Sequence, residues 1–170
     1  MLVIRYGWDK VTLEEISRDA HVSKSTFYNA WQTKERLFET VFNHDWELFL
    51  SHWQDFFQNG NKHYSARVLE GLLISLSEYP LVRRTIIAPK NSNPLYLSNR
   101  HNQCWQVIEA NIQENYDAEC QNAIEFSRAS VLVAYGFATA VEQTPLQNIT
   151  VSDWLTSIRV TTNVPSNHNI

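Results

Sequence analysis

Between positions 24 and 29 the chain places an ammonium (Lys24), two hydroxyls (Ser25, Thr26), a phenol (Tyr28) and an amide (Asn29). At helical spacing these groups share the outer side of one short helix, while Val22, Phe27 and Trp31 take the inner side. Ser23 stands before them as an N-cap, its hydroxyl accepting from a backbone N–H of the first turn. The amino end of a helix carries unpaired N–H groups and a partial positive charge, so it favours anions. Amides and hydroxyls beside it suit the donors and acceptors on base edges in a major groove. The chemistry available here is phosphate contact combined with base reading.

The elements around this segment can be read from caps and apolar spacing. Thr12 and Glu15 form a T-x-x-E capping box, so a helix starts at Thr12, with Ile16 and Ala20 on its buried side. It stops near Ala20, and His21-Val22-Ser23 makes a turn into a second helix from Lys24 to about Trp31. Two short helices joined by a tight turn are a helix-turn-helix pattern. Thr33 then caps a long helix with Lys34 in its first turn. A cation there opposes the helix dipole and so points to an external anion. Along that long helix Phe38, Phe42, Trp46, Phe49, Trp53 and Phe56 recur at steps of three or four, with Leu37, Val41 and Leu48 widening the stripe. Such a stripe is a core face that can also line an apolar pocket. Trp46, Phe49 and Trp53 are the candidates for touching a small molecule, faced by Trp105 and Ile108 from a helix over 94–115. The ligand expected is flat, apolar or aromatic, and a cation would also suit the tryptophan faces.

The 170 residues hold 44% apolar and 19% charged types with only four glycines and five prolines, and apolar residues recur every three or four positions throughout. That pattern predicts an all-α chain, with breaks at Gly7, 58–63, 88–94 and 144–150. A late helix from Ala118 to Glu142 is rich in small residues that permit close packing, and a last one from Ser152 to Asn163 has Ser152 as its N-cap. Net charge is −4, made of +1 over residues 1–38 and −5 over the rest, so a polyanion partner belongs at the amino end. The longest apolar stretch, Val131 to Val141, is about half of the ~20 residues that span a bilayer. No secretory signal is visible near the start, and a soluble cytoplasmic protein without membrane contact is expected. Cys104 and Cys120 show no C-x-x-C spacing, and the histidines (His21, His44, His52, His63, His101, His168) include no i, i+4 pair, so neither metal nor other cofactor is expected. Arg83-Arg84 either pairs with acidic neighbours or guides an anion. No catalytic motif is present, and Glu14 and Glu15 lie at exposed helical spacings with no evident partner to tune them. An enzyme is not expected.

The run from Ala20 to Leu37 resembles the signature of TetR-type transcriptional regulators, matched at Ala20, Val22, Ser23, Thr26, Phe27, Tyr28, Trp31, Thr33, Lys34, Glu35 and Leu37 and extended upstream by Gly7-Trp8, Val11-Thr12 and Ile16. The resemblance implies a DNA-binding domain over 1–36 and a helical effector-binding and dimerisation domain over 37–170. It implies double-stranded DNA as partner, with Thr12, Ser23, Lys24, Ser25, Thr26, Tyr28, Asn29 and Lys34 at the interface, Tyr28 and Lys34 on phosphates. It also implies a homodimer through the Ala118-to-Glu142 and Ser152-to-Asn163 helices, bound to a palindromic operator and released as a repressor by a small effector. Three departures stand out. Only Met1 to Tyr6 precede Gly7, so the start lies upstream or the first helix is truncated; His21 replaces the turn glycine; Ala30 stands where a histidine or aromatic is common. The alternative is a helical small-molecule-binding protein of the same fold that has lost DNA binding.

Overall fold

The computed structural model describes residues 2–58, 65–87, 95–115, 123–143, 150–154 and 156, and among them every regular element is helical. In order they are α1 (Leu2–Tyr6), a 3-10 turn (Trp8–Lys10), α2 (Leu13–Asp19), α3 (Lys24–Trp31), α4 (Lys34–Gln58), α5 (Ser65–Glu78), α6 (Pro80–Ile86), α7 (Leu95–Asn115) and α8 (Ala123–Gln143). Residues 151–154 are again helical. Residues 118–122, Cys120, His63, His168 and the predicted helix beyond 156 lie outside the described residues.

The aromatic stripe builds α4 as expected. Phe38, Phe42, Phe49 and Trp53 are buried, and successive rings stand 5.2 to 6.2 Å apart from Phe38 through Trp53. Leu48 is a correction: it is exposed, because it lies about 100° around the helix from Phe49 and so off the stripe. Against α4 packs α5, with Leu72, Leu73 and Leu76 fully buried. The two helices meet closely at Gly71, where a Cβ would come 2.6 Å from the Phe56 ring carbon Cγ. The Trp53 indole N–H donates to the Val68 carbonyl at 3.0 Å, a second tie across this contact.

Pro80 both stops α5 and opens α6, because its fixed φ suits the first helical turn. Of the two readings for Arg83-Arg84, the structure takes the ion pair. Arg83 Nε and Arg84 Nε donate to the two carboxylate oxygens of Glu142 at 3.0 and 2.8 Å, locking α6 to α8. Arg83 also donates to the Leu76 and Ser77 carbonyls at the end of α5. On α7, Cys104, Ile108 and Ile112 face inward. On α8, Ala134, Phe137 and Ala138 face inward, and a Cβ on Gly136 would stand 3.6 Å from the Trp154 ring. The last helical stretch is capped by Thr150 rather than Ser152. Thr150 Oγ1 accepts from Asp153 N–H at 3.1 Å and Asp153 Oδ2 accepts from Thr150 N–H at 3.3 Å. Ser152 has Leu155 three residues on and can form no such reciprocal pair.

The outward face of α8 mixes apolar side chains with the exposed Glu125 and Arg128. Ile124, Leu132 and Tyr135 fall on one stripe, with Leu132 73% exposed. Over its 21 residues α8 is long and apolar enough, by length and composition, to cross a membrane, which the shorter Val131-to-Val141 run did not suggest.

Buried side chains gather in two clusters. The larger spans α4 to α8; the smaller is Leu13, Phe27 and Leu37 at the junction of α2, α3 and α4. Trp8 and Val41 pack on both.

Gly71→Ala should lower stability by about 1–3 kcal/mol, because the added methyl must displace the base of the Phe56 ring rather than a flexible tip. Thermal unfolding checks this; an unchanged melting temperature would mean that α4 and α5 can separate freely at this point.

Candidate nucleic-acid interface

The expected capping box starts α2. Thr12 N–H donates to Glu15 Oε2 at 2.8 Å, and Glu15 N–H donates to Thr12 Oγ1 at 3.2 Å. The Thr12 N–H and the Thr12 hydroxyl, which donates to the same Oε2 at 2.9 Å, hold the Glu15 carboxyl below its ordinary value. The buried face of α2 is Leu13 and Ser17, not Ile16 and Ala20 as the spacing alone suggested. Ile16 is half-buried and Ala20 is exposed at the helix end, where the chain is already turning away. Val22 is likewise exposed, inside the turn. That turn depends on His21 at φ 55, the left-handed conformation that makes glycine the usual occupant.

Ser23 caps α3. Its Oγ accepts from Thr26 N–H at 3.2 Å and lies 3.1 and 2.8 Å from the Ser25 and Thr26 hydroxyls. Phe27 is buried and its ring meets Trp31 at 4.7 Å. This anchoring leaves Ser23, Lys24, Ser25, Thr26 and Asn29 exposed, with Thr12 exposed beside them and Tyr28 half-buried. All eight side chains expected at a duplex are thus reachable from solvent, Lys34 being half-buried.

Two features escaped the sequence reading. Gln32 adopts φ 56, ψ −47, and Thr33 N–H donates to the Trp31 carbonyl, a one-residue γ-turn between α3 and α4. Nothing in the type of Gln32 signals it. The other is Glu14. Its Oε1 lies 2.9 Å from Lys24 Nζ and accepts from the Tyr28 hydroxyl at 2.9 Å. Lys24 also stands 5.7 Å from the Tyr28 ring centroid. Principally through the Lys24 ammonium, with its own backbone and the Tyr28 hydroxyl adding to it, the Glu14 carboxyl is held down to about 2. The Lys24 ammonium and the Tyr28 phenol are both pushed above their ordinary values by the same carboxylate. Glu14 is therefore tuned, contrary to the sequence expectation, because the turn folds α3 back beside the start of α2. Lys34 also has a partner within the chain: Nζ sits 5.3 Å from the Trp8 ring centroid.

The residues proposed to touch a small molecule do not gather around one space. Trp46 lines a groove of about 440 Å3 between α4 and α7, with Phe42, Arg100, Gln103, Cys104 and Val107. Phe49, Trp53 and Ile108 have no exposed surface and belong to the core. Trp105 is half-buried, its indole N–H donating to the Ile86 carbonyl at 2.8 Å. Arg100, which the sequence reading passed over, places its guanidinium 5.8 Å from the Phe42 ring centroid. Burial pushes the Cys104 thiol up to about 12, which disfavours the thiolate. A second cavity, of about 660 Å3, lies beside α1 and α2 between Leu2, Tyr6, Lys10 and Arg18. Among the described residues no group of three or more His, Cys, Asp or Glu could hold a metal ion.

Residues 1–41 match the family model for bacterial regulatory proteins of the tetR family. No curated protein matches the chain. A solved structure described as a transcriptional regulator (TerR/AcrR family) from Aquifex aeolicus VF5 superposes with a TM-score of 0.71, covering 94% of this chain and 92% of that one at 14% identity. Identity that low is a likeness of fold. Residues 1–41 are thus similar to the tetR family of bacterial regulatory proteins, and the chain as a whole shares the fold of the TerR/AcrR-family regulator.

Proposed function

We propose that the chain is a dimeric, ligand-responsive repressor, released from a palindromic operator by a small molecule. The observation that carries this reading is the solvent-facing set Ser23, Lys24, Ser25, Thr26 and Asn29 on α3, held outward by the burial of Phe27. Residues 1–36 act as the reading head and 37–170 as the effector-binding and dimerisation domain. The lever is α4, which contributes Leu37 to the small cluster and Phe42, Phe49 and Trp53 to the large one. A packed helix of this kind moves as a unit, so a ligand that shifts α4 redistributes the separations of two reading heads. Repression follows if the ligand favours the separation that DNA does not accept.

Dimerisation is assigned to α8. Its inner face is committed to the core through Ala134, Phe137 and Ala138, and its outer side exposes Ile124, Leu132 and Tyr135 around the Arg128 side chain. Two copies of one such face bury each other around a twofold axis. The helix after Thr150 packs on the inner side of α8, Trp154 against Phe137 at 5.9 Å.

The effector site is the groove between α4 and α7. Among the described residues its lining includes Arg100 and no carboxylate, beside the rings of Phe42 and Trp46. This lining favours an aromatic acid over the cationic ligand that tryptophan faces alone suggested.

Three measurements test the reading. A gel shift with the DNA flanking the chain's own gene, at ~50 mM salt where phosphate attraction is strong, should show binding. Tyr28→Phe and Lys34→Ala should each weaken it by roughly 1 kcal/mol with little change in unfolding temperature. No binding at all would favour the alternative, a small-molecule-binding protein of this fold that has lost DNA binding. Sedimentation should give a dimer at micromolar concentration and a monomer for Leu132→Glu; a dimer untouched by that change would move the interface off α8. Titration with 2-naphthoate should quench tryptophan fluorescence, and Arg100→Met should abolish the quenching. Equal quenching in both proteins would remove Arg100 from the site.

A further inference from the structure

Two donors on α3 converge on one anionic oxygen, and that oxygen belongs to the chain itself. Lys24 Nζ and the Tyr28 hydroxyl both lie 2.9 Å from Glu14 Oε1. An ammonium and a hydroxyl meeting at one oxygen make the arrangement that would serve a backbone phosphate. The pair is accessible: the Lys24 side chain is 63% exposed and Glu14 44%. Glu14 sits in the first turn of α2, where the helix dipole favours a negative charge, so the carboxylate is well placed to stay ionised. Charge is scarce nearby. From Thr12 to Thr33 the only basic residues are Arg18 and Lys24, against Glu14, Glu15 and Asp19. Lys24 is therefore the cation at the start of α3, and in the free chain its charge is already matched.

We propose that Glu14 is an internal competitor for the DNA backbone: it occupies the Lys24–Tyr28 donor pair and holds DNA affinity below what α3 could otherwise reach. This inference rests on the DNA-binding reading above. A phosphate that takes these donors must displace the carboxylate, and the two anions then face each other across a short distance. Exchange of one anion for another on Lys24 adds no net neutralisation of the duplex. The contact therefore contributes little to counterion release, which is the main sequence-independent source of affinity. Glu14→Gln keeps the size of the side chain and an acceptor oxygen for Tyr28 while removing the charge. It leaves Lys24 free to neutralise a phosphate.

The test uses the full-length chain and a fluorescent mixed-sequence duplex, because a phosphate contact does not depend on base sequence. Anisotropy titrations across a salt series give affinity and its salt dependence together. Glu14→Gln should bind about two- to fivefold more tightly at low salt, the range an exposed ion pair represents. The slope of log K against log salt should steepen by about 0.9, one additional phosphate neutralised. Adding Lys24→Met to Glu14→Gln should return both quantities to or below the parent values. Parallel thermal melts identify any loss of folding, and Glu14→Asp, which keeps the charge, should not show the gain in slope. Weaker binding by Glu14→Gln at an unchanged slope would overturn the proposal and make Glu14 a strut that positions Lys24 and Tyr28. Binding by Glu14→Gln alone, with none by the parent chain, would support it. No binding by any form at low salt would overturn the DNA-binding reading and this proposal with it. Tight parent binding that Glu14→Gln leaves unaltered would overturn the proposal alone.

Discussion

Burial of Phe27 between Leu13 and Leu37 decides which way α3 faces. The helix has eight residues, too few to be stable on its own, so its rotation about its axis is set by what its inner side chains can bury. With Phe27 inside and Trp31 against it, the hydroxyl and amide side chains have only the solvent side left. Every statement about what α3 could touch follows from that single anchoring, and so does the folding of Lys24 and Tyr28 back toward the start of α2.

The same small cluster is joined to the rest of the molecule through α4. Leu37 belongs to the reading head, Phe42 to the main core, and Val41 packs on both. Trp8 adds a second bridge: its ring meets Phe38 at 4.8 Å and carries Lys34 on its face. A change in tilt of α4 cannot leave α3 behind without opening this packing. The other end of α4 is held just as closely, by Gly71 under Phe56 and by the Trp53 hydrogen bond to α5. The Arg83–Glu142–Arg84 bridge then fastens α6 to α8. Coupling between sites needs a contiguous packed path of this kind.

Electrostatically the reading head is restrained. A chain with net charge −4 has only a slight positive excess at its amino end, and part of it is paired internally by Glu14. Any affinity for a polyanion therefore rests on a few placed groups rather than on a general field.

The sequence by itself determined the local elements, because caps and apolar spacing act within one or two turns. Thr12 with Glu15, Ser23, Thr33 and the three-and-four stripe from Phe38 to Phe56 each specify their helix through neighbours a few residues away, and the helix-turn-helix and its outward residues were legible for that reason. At His21 the resemblance marked a position where glycine is usual, and the structure gives it φ 55. Tertiary structure alone decided what lies further apart. Glu14 and Lys24 are neighbours only because a turn reverses the chain between them. Gly71 matters only because Phe56 lands on it, and Arg100 reaches Phe42 only once α7 packs on α4. It also decided which members of an aromatic stripe are core and which line a groove: spacing puts Trp46, Phe49 and Trp53 on one face, but the neighbouring helices cover Phe49 and Trp53 completely and leave Trp46 at an edge. Periodicity reports a direction around a helix axis; what stands in that direction is set by the packing of the other helices.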